Sequence, residues 1–169
     1  MPAGSSVESL ALPESSSTVR SLAELYFYLK HCASPGQLLM FDEPELNLHP
    51  SNQRLLAQLL AVLVNSGIKV FVTTHSDYFV RELNALIRIG SIKPRARSLL
   101  LKKYDIDKKC VLSESKVKIY MLQDGHTYPI EFDPDSRAFG IPSFDDTIDH
   151  FNQLYSDVRA LDSAVRGSL

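Results

Sequence analysis

Along residues 19–87 the apolar positions alternate between helical stripes and short solid runs. Val19, Leu22, Ala23, Leu25, Tyr26 and Leu29 recur at three- and four-residue spacing, between Ser15–Thr18 and Ser34-Pro35-Gly36. That spacing predicts a helix that stops at the Ser-Pro-Gly turn. Leu38-Leu39-Met40-Phe41 is a solid apolar run closed by Asp42-Glu43-Pro44, and predicts a buried strand. Pro50 suits the first turn of a second helix, with the stripe Leu55, Leu56, Leu59, Leu60 and Leu63. Asn65-Ser66-Gly67 closes it, with Gly67 suited to the left-handed cap. The β-branched run Ile68 to Thr74 predicts a second buried strand. Ser76 or Asp77 then caps a third helix, striped by Phe79, Val80, Leu83, Leu86 and Ile87.

Solid apolar strands alternating with helices predict an α/β fold, a parallel sheet covered on both faces. The pattern changes after residue 90. Val117, Ile119 and Met121 alternate with Lys116, Lys118 and Tyr120, Asp124-Gly125 is a hairpin turn signal, and His126 to Phe132 supplies the return strand. This predicts an antiparallel hairpin at the edge of the sheet. A last helix, 143–165, is expected to start near Ser143 with Asp146 as its capping-box partner, and to bury Phe144, Ile148, Phe151, Leu154, Val158 and Leu161. Residues 1–14 are polar and Ser-rich and read as a loose start, and no internal repeat is present.

Composition narrows the class. Of 169 residues, 44% are apolar and 22% charged, which excludes disorder for most of the chain. No apolar stretch approaches the roughly 18–20 residues of a membrane span. The first residues have neither the basic nor the apolar region of a secretory signal, and two cysteines, Cys32 and Cys110, make no disulfide framework. A cytoplasmic setting is the expectation. The net charge of −2 divides into −3 over residues 1–87, +7 over 88–118 and −6 over 119–169. The basic centre is either a solvated face or an anion-facing patch.

The chemistry concentrates in two segments. Leu38–Phe41 runs into Asp42-Glu43-Pro44-Glu45-Leu46-Asn47-Leu48-His49-Pro50, and Lys69–Val72 runs into Thr73-Thr74-His75-Ser76. Ligands of a parallel sheet bind at the carboxyl ends of its strands. An acid there can hold Mg²⁺ through its water shell, and the next can orient and deprotonate a water attacking a phosphate. If the strands are adjacent, His75 opens onto the same edge as Glu43 and can donate to a γ-phosphate. Glu45 reads as a surface acid, and Leu46 and Leu48 as core. Cys110, beside Lys108-Lys109, is a candidate for a lowered thiol pKa. His31-Cys32 has no second Cys/His pair at metal spacing and reads as structural.

Together these segments resemble the Walker B, D-loop and switch-histidine series of ABC-type ATPases, nearest the SMC/RecF/RecN-like branch with its OLD-like relatives, over about residues 12–90. The resemblance implies a partial P-loop NTPase fold using ATP and Mg²⁺. In it, Asp42 is the Mg²⁺ ligand, Glu43 the general base, Asn47 to His49 the D-loop at a dimer interface, and His75 the switch histidine. Ser15, Ser16 and Ser17, opening the first helix, fall where the family's signature motif meets the opposite protomer's γ-phosphate; helix N-terminal amides bind anions. The glycines of the transporter signature are absent there. Gly-x-x-x-x-Gly-Lys-Ser/Thr occurs nowhere in the chain, so the phosphate-gripping loop must come from elsewhere. The expectation is therefore the C-terminal part of an ATPase head, whose partners are a Walker A-bearing N-terminal half, a second head across ATP, and DNA or a nuclease. Two other readings stand beside it. One is a non-enzymatic regulatory or assembly module on the same scaffold. The other is a Mg²⁺-dependent nuclease using Asp42, Glu43 and Glu45, although Asp133, Asp135, Asp145 and Asp146 read as turn and cap residues.

Overall fold

A computed structural model describes residues 11–166. The fold is mixed α/β and falls into two units, Met1–Leu112 and Ser113–Leu169. Most of the expected loose start lies outside the described residues, and its last part, Leu12–Glu14, forms a 3₁₀ turn.

In the first unit, α1 (Ser17–His31) starts where the Ser16 hydroxyl accepts the Val19 amide at 3.3 Å. β1 spans Leu38–Asp42, α2 Pro50–Asn65, β2 Lys69–Thr73 and α3 Asp77–Ser91. Pro50 opens α2, its missing N–H costing nothing in the first turn. Its far end closes at Gly67, whose φ of 89° is left-handed. The Gly67 amide donates to the Val64 carbonyl and the Ile68 amide to the Leu63 carbonyl, both at 3.1 Å, which satisfies carbonyls the helix leaves open. The Ser76 hydroxyl caps α3 by accepting the Phe79 amide at 3.1 Å.

β1 and β2 pair in parallel, from Leu38 opposite Lys69 to Asp42 opposite Thr73. Leu39, Phe41, Val70 and Val72 face a core of Leu25, Leu48, Leu56, Ala57, Leu60, Leu63, Ile68 and Phe79, drawn largely from the three helices. The opposite face is open: Leu38, Met40 and Phe71 are 59%, 65% and 53% exposed. The expectation of two covered faces is thus corrected. Side chains alternate across a strand, and the described residues cover one face only. Leu55, placed on the α2 stripe by spacing, is also exposed, while Ala57 and Ala61 are buried in its place.

α2 and α3 share a buried acid. Glu82 accepts from Arg54 Nε at 2.7 Å and from Gln58 Nε2 at 2.6 Å, so both carboxyl oxygens are satisfied. After α3 the basic stretch contains a helix that spacing did not reveal, α4 (Pro94–Tyr104). It buries no residue. Arg97 anchors it, donating to the carbonyls of Ile89, Gly90 and Ile92 at the end of α3. Asn65 Nδ2 holds the turn beyond α4 through the carbonyls of Lys109 and Val111, both at 2.8 Å.

In the second unit, β3 (Ile119–Gln123) and β4 (His126–Ile130) form the expected hairpin. Asp124 and Gly125 have φ of 50° and 75°, as a type I′ turn demands. The hairpin pairs with itself as a two-stranded sheet, which corrects its assignment to the edge of the parallel sheet, and its return strand stops at Ile130. A smaller pair, β5 (Phe132–Asp133) and β6 (Ala138–Phe139), follows. Asp133 carries its turn, accepting the amides of Asp135 at 2.9 Å and Ser136 at 3.2 Å. The Ser136 hydroxyl and these two amides hold its carboxyl below the usual aspartate range. α5 spans Pro142–Arg166, starting near Ser143 as expected, and the capping role expected of the Ser143 side chain lies outside what is described. Its stripe is corrected: Phe151, Leu154, Val158 and Leu161 are exposed, and Phe144 and Ile148 only half-buried.

Candidate functional site

Parallel pairing brings Asp42 and Thr73, the last residues of β1 and β2, side by side at the carboxyl end of the sheet. The Thr73 hydroxyl donates to Asp42 Oδ1 and accepts the Glu43 amide at 3.0 Å. The Thr73 carbonyl accepts the same amide at 3.2 Å. Glu43 is thereby held at φ 43°, a left-handed conformation that a non-glycine residue keeps only when its surroundings enforce it. Its carboxyl oxygen Oε1 lies 3.2 Å from His75 Nε2. Glu43 is half-buried at this contact while His75 is largely exposed, so the pair faces solvent.

The turn between β1 and α2 is equally determined. The Leu46 amide donates to the Glu43 carbonyl and the Leu48 amide to the Glu45 carbonyl, each at 3.0 Å. Asn47 sits at φ 63°, which an asparagine tolerates. Its carbonyl accepts from Thr18 Oγ1 of α1 at 3.5 Å. Leu48 is buried as expected, whereas Leu46 is exposed, because the turn directs it away from the core. His49 is the N-cap of α2, with Nδ1 accepting the Ser51 amide at 3.3 Å and lying 2.8 Å from the Ser51 hydroxyl.

Two acids separate here by environment. Asp42 is exposed, and Glu45 is buried, which corrects its reading as a surface acid. Its Oε1 accepts the Thr74 hydroxyl at 2.5 Å and the His75 amide at 3.0 Å. No local pattern announces this burial; the only sequence signal is the hydroxyl pair Thr73-Thr74 ahead of His75, both members of which turn out to hold acids of the other strand's turn.

Ser15, Ser16 and Ser17 do not join this cluster by any hydrogen bond or ion pair among the described residues. The Ser15 hydroxyl donates to the Leu12 carbonyl at 2.6 Å, Ser16 caps α1, and Ser17 is exposed. The link from α1 to the site is Thr18. Cys110 is corrected as well: burial, then the charges of Asp107 and Glu82, push its thiol up rather than down. His31 stacks on Phe27 with ring centroids 6.4 Å apart, as a structural residue would. A shallow cleft of about 620 Å³, away from this edge in sequence, is lined by Asn65, Arg97, Lys108 and Lys109 among others.

The donor set fits a single hard cation held mainly by water. An exposed carboxylate at a strand end suits Mg²⁺, which takes one or two protein carboxylates. Among the described residues no group of three or more His, Cys, Asp or Glu converges as a metal cage, so a two-metal nuclease centre finds no support there.

Residues 6–80 match the AAA ATPase domain family. The matched segment is a little under half of the chain, and it includes α1, β1, the Asp42–Pro50 turn, α2, β2 and His75. It supports an ATPase-type domain of the AAA, P-loop class, a class that generally uses ATP and Mg²⁺. No curated protein and no solved structure matches the chain. No helix among the described residues is long and apolar enough to cross a membrane.

Proposed function

We propose that this chain supplies the hydrolytic and γ-phosphate-sensing edge of an SMC/RecF-like, ABC-type ATPase head. The observation that carries the reading is the Glu43–His75 contact, 3.2 Å across the ends of two paired parallel strands, beside Asp42. Glu43 accepts a proton from a water whose oxygen attacks the γ-phosphorus, the bond to the bridging oxygen breaks, and ADP and phosphate leave. His75 donates a hydrogen bond to the γ-phosphate. Asp42 would hold Mg²⁺ through its water shell, and an ion there would supply charge neutralisation for the phosphate oxygens.

The phosphate-gripping loop is supplied by a Walker A-bearing part outside these 169 residues, since no such motif occurs in them. The open face of β1 and β2 gives that part an apolar surface to cover. A second head closes over ATP through Asn47–His49 and Ser15–Ser17, with DNA or a nuclease as the downstream partner. A non-enzymatic assembly module is the second reading, favoured by the missing loop. The ordered Asp42, Glu43 and His75 weigh against it, because a scaffold needs neither a base nor a phosphate sensor.

Calorimetric titration with Mg²⁺-ATP is expected to give no saturable heat from the chain alone below the millimolar range. Micromolar binding would mean that residues of this chain already grip the phosphates, and the proposal of an external loop would fall.

A further inference from the structure

Glu45 is 6% exposed, on a turn whose next two residues, Leu46 and Asn47, are exposed. One carboxyl oxygen takes the Thr74 hydroxyl and the His75 amide; the other, Oε2, is buried without a hydrogen-bond partner among the described residues. Burying a carboxyl with an unsatisfied oxygen is costly, and packing alone would be served better by an apolar side chain. The site must gain something from the oxygen that is bonded. The Thr74 hydroxyl also accepts the Ser76 amide at 3.1 Å, and the Ser76 hydroxyl donates to Gln53 Oε1 at 2.5 Å and caps α3. Glu45 therefore grips the backbone on which His75 stands. The His75 ring returns to Glu43, two residues before Glu45 on the same turn. The result is a closed circuit of Glu43, Glu45, the His75 amide and the His75 ring.

We propose that Glu45 is the positioning residue that sets His75 against Glu43. The purpose given to that geometry rests on the hydrolytic reading above; the geometry itself does not. The role is indirect: Glu45 acts through the Thr74 hydroxyl and the His75 amide, and is not a catalytic residue.

The test compares Glu45→Ala with Glu45→Gln in the full chain. Gln keeps an acceptor oxygen for both donors, and Ala keeps none. Two signals are read by NMR: exchange of the His75 amide, and the carbon-bound proton resonances of the His75 ring, with Glu43→Ala marking the ring free of its partner. Glu45→Ala is expected to speed exchange of the His75 amide about 10- to 100-fold and to move the ring signals to their Glu43→Ala positions, while the amides of buried Leu86 and Ile87 stay protected. Glu45→Gln is expected to restore both signals. If Glu45→Ala leaves them unchanged, or if Glu45→Gln fails to restore them with the core intact, the proposal is overturned. Should Glu45→Ala not fold, Thr74→Val decides: it removes one of the two bonds and must shift the ring signals part of the way, and no shift overturns the proposal. None of these readouts involves nucleotide. Loss of the His75 geometry in a protein whose assembled head never hydrolyses ATP would leave the positioning role standing and remove the hydrolytic reading.

Discussion

Glu43→Gln is expected to slow ATP turnover about 10²- to 10⁴-fold in a head completed with its phosphate-binding loop, the usual range for removal of a general base. The substitution keeps size, and the backbone that fixes Glu43 is untouched, since its amide is held by the Thr73 hydroxyl and carbonyl. What goes is the basicity. His75 keeps an oxygen to donate to, so the γ-phosphate contact and nucleotide binding survive, and the ATP-bound dimer accumulates. Single-turnover phosphate release, measured beside nucleotide affinity, separates the two effects. A rate equal to wild type removes Glu43 as the base. A joint collapse of binding and rate shows instead that its role is in holding the site together.

Gly90→Ala is expected to destabilise the first unit by about 3 kcal/mol, at the upper end of the usual cost of overpacking. Helix propensity alone argues the reverse, since Ala is favoured over Gly by about 1 kcal/mol inside a helix. Gly90 lies in the last turn of α3, and a Cβ there would stand 2.3 Å from the Leu112 carbonyl oxygen and 3.3 Å from Val111 Cγ1. A backbone oxygen cannot rotate away as a side chain can. This carbonyl belongs to a segment already pinned, because Asn65 Nδ2 holds the neighbouring Val111 carbonyl and Cys110 is buried beside it. Moving it would unseat the turn from α2. Urea unfolding of the variant against wild type gives the difference directly; equal or raised stability would show that the segment yields, and that propensity governs the position.

The parts of the fold that local chemistry dictates were legible in the sequence. Pro50 and Gly67 bracket α2 because one lacks an N–H the helix start does not need and the other reaches a conformation the helix end requires. Asp124-Gly125 specifies its hairpin for the same kind of reason. Asp42, Glu43 and His75 were placed at one edge by strand polarity, and the register of β1 with β2 brings them together. Where tertiary partners decide, local pattern gave out. α4 buries no residue and is tied to the end of α3 through Arg97, a partner that spacing does not reveal. The apolar runs of β1 and β2 implied two covering layers, and the described residues provide one. The stripe of α5 has helical period yet stays exposed, since periodicity shows which residues share a face and not what covers it. Glu45 is the sharpest case: its burial depends on Thr74 and His75, 29 and 30 residues away, and nothing beside it in the chain separates it from an ordinary surface acid.

In the proposed function this chain holds the hydrolytic edge of an ATP site and lacks its phosphate grip. Titration of the ¹⁵N-labelled chain with Mg²⁺ and a non-hydrolysable ATP analogue, followed residue by residue in NMR spectra, tests it most directly. Small, fast-exchanging shifts are expected, confined to Asp42–Asn47 and Thr73–Ser76, unsaturated below millimolar analogue and abolished for the Mg²⁺-dependent part by Asp42→Asn. Shifts centred instead on Lys108 and Lys109 in the cleft beside Arg97, or saturation at micromolar analogue, would contradict the proposal.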